Sequence, residues 1–391
     1  MRAAASLDAL RARVDGPWEA AASAGRYLFA PLAERRLPLR RISGLTPSGR
    51  PATVLVAGAS RTIDLWLQRV MPHGRELVGL GTEGTMAAAR GLGGPGIDMV
   101  LARVPRIYGR YLAADGQLRL PEVVAQRAAT AEMRRRLLLS KSVRSSAGLS
   151  HAAGLGWREA TEEGAFERFY AQMYRPFAER RFGEAAIVRE RAALRRRLAK
   201  GGLLWIEQRG RIVGGVLIER DRGVLRLLSL GTVLDPQAAR AAGFHVAVRL
   251  AGLDQAEACG LDVIDFGGTM PWLTDGILRS KHLWGAVLGH KRWLNRDILV
   301  RWERCTPAVA DMLAAAPLIL ERPEGLVGVG ALPGDGPASP AGAASLARRL
   351  HAAGLTAMTL IGPAGCEPGA TTVGDLPVRL APPLPSNALF A

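Results

Sequence analysis

Short apolar runs alternate with helical repeats along the first 150 residues. Residues 52–57 (ATVLVA) form a continuous apolar run that ends at Gly58, as is typical of a buried strand. Similar patterns predict a helix and two further strands, over 61–70, 77–80 and 98–104. Residues 120–147 have the pattern of one long basic helix that ends in a serine-rich joint. The first segment is therefore predicted to be α/β.

The middle of the chain has a more regular pattern. An amphipathic helix is predicted over 166–181, where Phe166, Phe169, Tyr170, Met173 and Tyr174 follow helical spacing and Pro176 should kink or restart the helix. The elements predicted next are a helix, three antiparallel strands, a helix and a strand, over 190–200, 203–208, 213–219, 224–230, 244–259 and 261–266. The last segment predicts a βαβ unit over 326–332, 344–353 and 356–361.

Length and composition favour a globular chain of several units. The chain has 391 residues, of which 48% are hydrophobic and 22% charged, so a large core can be buried and global disorder is excluded. We predict three segments: a basic α/β segment over 1–147, a second α/β domain over 148–305, and a small βαβ segment over 306–391 that packs on the preceding sheets. The net charge of +17 favours an anionic partner such as a nucleotide, a CoA-type cofactor or RNA.

Cysteine usage and hydropathy predict a cytoplasmic location. The three cysteines are far apart and form no CxxC pair, which is typical of a reducing compartment. Neither a signal peptide nor an apolar run of membrane-spanning length is recognisable, so we expect no membrane span. The histidines have no metal-binding spacing, so no metal is expected.

A loop that joins a predicted strand to a predicted helix carries a candidate phosphate site. It runs from Val233 to His245, and in it Arg240 and Gly243 are followed by Phe244. Backbone N–H groups at a helix N-terminus bind phosphate, and a small residue allows close approach. The loop resembles the pyrophosphate loop of the GNAT acyltransferases, with His245 where that family has a small residue. An ordinary strand-to-helix loop is the alternative interpretation.

A second pattern follows the last strand of the middle segment. Residues 265–268 (DFGG) are followed by Lys281 and then by Trp284-Gly285. Together with the FERFYAQMY helix, this pattern resembles the FemAB-like and BioF2-like branch of the GNAT superfamily over roughly residues 130–300. The resemblance implies an α/β fold with a GNAT-like mixed sheet flanked by helices, in a duplicated architecture whose diverged first half is the N-terminal segment.

The resemblance also suggests roles for individual side chains. Lys281 is one of only four lysines, and it could neutralise a phosphate, a carboxylate or a developing oxyanion, or be a cation on a helix surface. Asp265 could orient or deprotonate the acceptor, or cap the glycine turn. Tyr170 and Tyr174 could line the acceptor cleft or donate a proton, or pack in the core. The predicted substrate-binding residues are Arg180, Arg181, Gly267, Gly268 and Trp284.

The branch implied by the resemblance transfers acyl groups by direct attack, without a covalent enzyme intermediate. We expect acyl-CoA, in particular acetyl-CoA, as the donor and a small-molecule, peptide or saccharide amine, or a hydroxyl, as the acceptor. One alternative donor is aminoacyl-tRNA, held by a first segment that has 23 basic and 11 acidic side chains (net +12) and by a basic patch within it. The patch consists of the run 134–136 with Lys141 and Arg144, and a solvated helix face is its alternative interpretation. A second alternative, which His245 favours, is a non-catalytic GNAT-like binding protein.

Overall fold

The computed structural model describes residues 36–111, 117–182, 188–290, 296–334 and 339–390. The strands of these residues are β1 (Arg36–Leu45), β2 (Pro51–Ala57), β3 (His73–Gly84), β4 (Met99–Pro105), β5 (Leu118–Pro121), β6 (Val124–Ala129), β7 (Leu155–Glu159), β8 (Gly201–Gln208), β9 (Arg211–Asp221), β10 (Val224–Thr232), β11 (Val263–Thr269), β12 (Val287–Gly289), β13 (Arg296–Arg301), β14 (Leu318–Arg322), β15 (Gly325–Ala331), β16 (Leu355–Ile361), β17 (Gly369–Val373) and β18 (Leu376–Ala381).

Helices separate many of these strands. They are α1 (Arg61–Val70), α2 (Thr85–Arg90), α3 (Arg106–Tyr111), α4 (Thr130–Leu139), α5 (Lys141–Ala152), α6 (Ala165–Arg168), a π-helical segment (Phe169–Tyr174), α7 (Arg175–Phe182), α8 (Arg191–Leu198), α9 (Pro236–Ala241), α10 (Phe244–Ala258), α11 (Gly276–Leu283), α12 (Pro307–Ala315), α13 (Pro340–Leu350) and a 3₁₀ turn (Ser386–Ala388).

The described residues belong to two compact units, each built from separate stretches of the chain. The first unit contains residues 125–267 and 280–287, and the second contains residues 36–124, 268–279 and 288–390. The division of the chain into three continuous segments, at 1–147, 148–305 and 306–391, remains a prediction from the sequence.

The first unit is built on a seven-stranded mixed sheet of order β12-β6-β11-β10-β9-β8-β7. Strands β7 to β10 are antiparallel neighbours, and β11 is parallel to β10 after the crossover helix α10. Leu203, Trp205 and Leu217 pack with the aromatic side chains of the helix that contains the π-helical segment. Leu204 and Val216 alternate with them and pack against α10 on the other face.

The second unit contains two mixed sheets with helices packed on them. Their strand orders are β3-β1-β2-β4-β13-β5 and β14-β15-β16-β18-β17. The apolar core next to α1 and α12 includes the fully buried side chains of Trp66 and Met312. In both units, an antiparallel pair of strands is followed by a helix and later by a strand that lies parallel to the second strand of the pair. In the second unit these are β1 and β2, then α1, then β4, which is parallel to β2. The recurrence fits a duplicated architecture.

The element order predicted for residues 166–266 is confirmed, with helices, three antiparallel strands, a helix and a parallel strand. The βαβ unit of the last segment is also confirmed, since β15 and β16 are parallel and α13 lies between them. It belongs to a sheet of its own rather than extending a neighbouring one.

Two predicted helices differ from the structure. The long helix predicted over 120–147 is wrong, because β6 is followed by α4 and α5. The helix predicted over 166–181 is present, but its irregular turn is the π-helical segment and the α-helix restarts at Arg175, just before Pro176. The proline marks the restart of the helix in the sequence. The π-helical turn before it packs closely on β10, and the sequence pattern does not show that tertiary contact.

Candidate functional site

Strands β10 and β11 of the first unit pair only at their beginnings. Their register pairs run from Val224 with Val263 to Arg226 with Asp265, and both strands then continue beyond that pair. A register shift between Leu227 and Ser229 bends β10 at the point where the pairing ends. Ligands of α/β sheets bind beyond the carboxyl ends of parallel strands. We therefore take the opening between β10 and β11 as the candidate site.

Lys281 lies at this end of β11 and is buried. The side chain is 8% exposed, and its Nζ donates a 2.7 Å hydrogen bond to the carbonyl oxygen of Phe266. Trp284 directly follows the end of α11 and is 2% exposed. The ammonium group is therefore fixed in a buried position, where a charge has a stronger effect than in water.

Asp265 fixes the turn that ends the paired part of β11. One carboxylate oxygen accepts a 2.7 Å hydrogen bond from the backbone N–H of Gly267, and the other lies 3.1 Å from Nε of Arg127. Gly267 has a φ of 73°, a conformation that favours glycine, and Gly268 follows it in β11. Both oxygens thus have partners, which favours the orienting and capping role among those predicted for Asp265.

The connection between β10 and α10 contains the short helix α9. Asp235 caps α9 by accepting hydrogen bonds of 2.9 Å from the backbone N–H groups of Gln237 and Ala238. Gly243 then begins α10 with a φ of 72°. The first turn of α10 consequently presents its backbone N–H groups near the end of β10, as phosphate binding requires.

The other residues predicted for this loop differ in exposure. Arg240 and Val233 are exposed, so both can meet a ligand. Phe244 is fully buried in the core of the first unit. The half-buried ring of His245 lies edge-on to the rings of Phe244 and Phe177, with centroid distances of 5.8 and 6.4 Å. His245 thus packs against aromatic rings where the family has a small residue.

The hydroxyl groups of Tyr170 and Tyr174 converge on one backbone segment. The Tyr170 hydroxyl donates to the carbonyl oxygen of Arg189 at 3.1 Å, and the Tyr174 hydroxyl accepts from the N–H of the same residue at 3.0 Å. Both rings belong to the aromatic cluster around Phe169. These contacts favour the core-packing interpretation of the two tyrosines.

Arg180 and Arg181 were predicted to grip an anionic substrate. Arg180 is exposed, and its Nη2 donates a 2.9 Å hydrogen bond to the carbonyl oxygen of Thr232, the last residue of β10. It therefore lies next to the start of the loop from 233 to 243. The side chain of Arg181 lies outside the described residues.

The basic run 134–136 is neutralised by neighbouring carboxylates. Arg134 pairs with Glu257 and, at 3.3 Å, with Asp254. Arg135 and Arg136 each lie 2.7 Å from Glu132, whose pKa is lowered mainly by the hydrogen bond from Arg135. The run thus resembles a solvated, ion-paired helix face more than an open nucleic-acid surface.

Two arginines of the site were missed in the sequence. Arg127 lies on β6, the sheet neighbour of β11, and was assigned to a helix; a charge within the apolar stretch 123–129 was the available signal. Arg249 lies on α10 and donates a 2.7 Å hydrogen bond to Oγ of Ser280, next to Lys281. Its signal was a cation between the inward-facing Val248 and Ala251.

Within the described ranges, no three or more His, Cys, Asp or Glu side chains are grouped so that they could share a metal ion. Across the same part of the chain, every helix is too short or too polar to cross a lipid bilayer.

Comparisons with known proteins give structural likenesses of low identity. No family model matches the chain, and no curated protein sequence matches it. FemX has 9% identity over 70% of this chain and 90% of its own, with a TM-score of 0.37. L-PGS from Bacillus licheniformis has 11% identity over 71% and 88%, with a TM-score of 0.34. A GCN5-related N-acetyltransferase from Kribbella flavida has 13% identity over 73% and 95%, with a TM-score of 0.29.

Proposed function

We propose that this protein is an acyltransferase of the GNAT type, in the FemAB-like or BioF2-like branch, that transfers an acyl group from acyl-CoA to an amine or hydroxyl acceptor. The observation that carries the proposal is the opening between β10 and β11 beside the N-terminus of α10. A thioester lying along β10 would have its phosphates at that helix N-terminus and its acyl group near Lys281.

The proposed reaction needs positioning more than a nucleophile on the enzyme. The acceptor nitrogen or oxygen bonds to the acyl carbon, the carbon–sulfur bond breaks, and the acceptor's proton ends on the departing thiolate. Negative charge grows on the carbonyl oxygen during the attack, and the Lys281 ammonium, fixed by Phe266, is the candidate group to stabilise it. Asp265 acts as a positioning residue, because it holds the turn at Gly267.

The aminoacyl-tRNA alternative has less support from the described residues. Three arginines of its predicted contact patch, at 134–136, already pair with carboxylates, whereas Lys141 and Arg144 of that patch are exposed. A donor that carries RNA would therefore rely on these two cations and on other basic residues of the first segment. The non-catalytic alternative is separated by turnover alone, because a binding protein would bind CoA without transferring an acyl group.

We expect CoA and acetyl-CoA to raise the melting temperature of the protein, because a ligand that binds only the native state stabilises it. Replacing the exposed Arg240 with Glu should weaken CoA binding about tenfold or more by placing a negative charge beside the phosphates. Arg196→Glu, at an exposed position on α8, is the matched control and should bind CoA like the wild type.

Arg240 is a better test than Gly243. A side chain at Gly243 would have a φ of 72°, and its Cβ would lie 3.3 Å from Cβ of Ser150, so a substitution there would strain the fold itself. If Arg240→Glu and Arg196→Glu bind CoA equally well, the phosphates do not lie at this loop and the donor assignment fails.

A further inference from the structure

Arg249 is a cation in the first unit that has no charged partner among the described residues. Its described contacts are Oγ of Ser280, at 2.7 Å from Nη2, and the ring of Trp284, whose centroid lies 5.9 Å from Cζ. Burial lowers the pKa of Arg249 to about 10, and no nearby carboxylate offsets this effect. The side chain keeps part of its surface exposed, so a ligand can reach it.

Three other arginines of this unit, Arg127, Arg197 and Arg226, have carboxylate partners. Arg127 pairs with Asp265 at 3.1 Å, and Arg197 and Arg226 lie 2.9 and 3.3 Å from Glu219. A poorly solvated cation without a counter-charge raises the free energy of the folded protein. Of these four arginines, only Arg249 has no carboxylate partner that would offset this free-energy cost. Such an arrangement is expected where a bound ligand supplies the negative charge.

The position of Arg249 indicates which ligand group this is. Ser280 precedes Lys281 on α11 and Trp284 directly follows that helix, so the guanidinium lies beside the helix that supplies the proposed oxyanion donor. Arg249 is six residues beyond Gly243, about 9 Å along the helix axis from the N-terminus of α10. The described contacts of the guanidinium are with Ser280 and Trp284 and not with the first turn of α10, which favours a ligand group beside α11 over a phosphate at that N-terminus.

We propose that Arg249 binds a carboxylate group of the acyl acceptor, which makes the acceptor an anionic amine or alcohol such as an amino acid or the carboxyl end of a peptide. This proposal rests on the proposed acyltransferase function and specifies its substrate class. A guanidinium fork binds both oxygens of a carboxylate in one plane, and the Trp284 ring and the Ser280 hydroxyl fix the orientation of that plane.

Thermal unfolding of the full chain tests the proposal without any turnover. The probes are acetate, its neutral analogue acetamide, and inorganic phosphate, each compared with chloride at equal ionic strength. Acetate should raise the melting temperature of the wild type and of the exposed-arginine control Arg196→Met, and acetamide should not. In Arg249→Met the acetate response should vanish, while the melting temperature in chloride should equal or exceed that of the wild type, because an apolar side chain replaces an uncompensated charge.

Arg249→Lys provides a second variant, which keeps the charge if Arg249→Met does not fold. It should respond to acetate more weakly than the wild type, since an ammonium group cannot form the bidentate contact. An unchanged acetate response in both variants, together with a lower melting temperature of Arg249→Met, would mean that Arg249 only anchors α11, and the proposal would be wrong.

The remaining outcomes separate this proposal from the proposed function. A phosphate response that depends on Arg249, without an acetate response, would overturn the carboxylate assignment. A CoA response that is lost in Arg249→Met would assign the anion to the donor and would also overturn it. Failure of CoA to bind the wild type contradicts the acyl-CoA donor alone, whereas an Arg249-dependent acetate response supports the carboxylate site in either case.

Discussion

At the residue scale, Lys281 combines burial with a fixed hydrogen bond. A lysine side chain is rarely buried without a reason, and this one reaches the carbonyl oxygen of Phe266 at the end of β11. Arg249 contacts Ser280 and Trp284, which lie on either side of Lys281 in the sequence. Two cations, Lys281 and Arg249, therefore lie near the same end of the sheet. Substitutions at this point therefore test both stability and turnover.

We predict that Lys281→Met lowers turnover about 10²–10³-fold, the cost of one lost oxyanion donor. The variant should also be less stable by about 1–3 kcal/mol, because the Phe266 carbonyl loses its donor. Steady-state kinetics and chemical denaturation measure the two effects. Lys200→Met, at the exposed end of α8, is the matched control and should change neither. Turnover close to that of the wild type in folded Lys281→Met would remove Lys281 from the reaction centre.

The chemistry of the candidate site was only partly predictable from single residues. Scarcity of lysine and the neighbouring pattern identified Lys281, and the strand end identified Asp265. Arg127 and Arg249 were not found, because their importance depends on partners more than 30 residues away in sequence or on the lack of one. A sequence shows that a cation interrupts an apolar stretch, but not whether a carboxylate meets it.

At the scale of elements, the π-helical segment lies directly on β10. A Cβ placed on Gly231 would lie 2.5 Å from the backbone nitrogen and Cα of Tyr174, closer than real Cβ atoms approach. The wide turn is thus accommodated by a glycine in the facing strand. The same contact places α7, with Arg180, at the end of β10.

We predict that Gly231→Ala destabilises the protein by about 2–3 kcal/mol or more, because backbone atoms rather than flexible side chains would have to move. Gly202→Ala is the matched control: a Cβ there meets nothing within 4 Å, so its effect should stay within about 1 kcal/mol. Denaturant midpoints measure both variants. Equal midpoints for the two would show that the helix can withdraw from the strand at little cost.

Elements with strong local patterns were predictable, and those set by tertiary contacts were not. The helix over 61–70 and the strand over 52–57 agree with α1 and β2 almost to the residue, because the apolar period alone defines them. Residues 124–129 were assigned to a helix, since their short apolar stretch adjoins a genuine helix without a Gly or Pro between them. Only its place beside β11 in the sheet identifies this stretch as a strand.

At the scale of the whole molecule, the second unit contains a buried ion cluster that the sequence did not predict. Glu321 contacts Arg106 and lies 3.1 Å from Arg119 and 3.7 Å from Nδ1 of His290. Burial opposes ionisation of Glu321, but the nearby His290 imidazole and the charges of Arg106 and Arg119 outweigh it and hold its pKa well below the ordinary value. Burial raises the pKa of the neighbouring Asp297.

The lowered pKa of Glu321 makes stability depend on acid pH. The unfolded state binds a proton more readily at this residue, so its contribution is complete above the unfolded pKa of about 4.3 and is lost as pH falls towards the folded pKa. Glu321→Gln should cost about 3–5 kcal/mol at neutral pH, because Arg106 and Arg119 lose a buried carboxylate that both of them contact. The difference between the wild type and this variant should shrink below pH 4.

Glu324→Gln is the control for this experiment, since Glu324 is exposed and pairs at 3.5 Å with Arg322. Its unfolding free energy, measured by urea denaturation across the same pH range, should follow the wild type. A Glu321→Gln variant whose deficit does not change between pH 7 and pH 3 would contradict the lowered pKa.

The strand order of the second unit has a consequence for synthesis. Strand β13 pairs with β4 on one side and with β5 on the other, although it follows them by most of the first unit. At about 5–20 residues per second, a ribosome needs on the order of 10–40 s to proceed from Pro105 to Arg296. Throughout that interval, the edges of β4 and β5 that later meet β13 have no native partner, so the nascent chain depends on protection from aggregation until about three quarters of it has been translated.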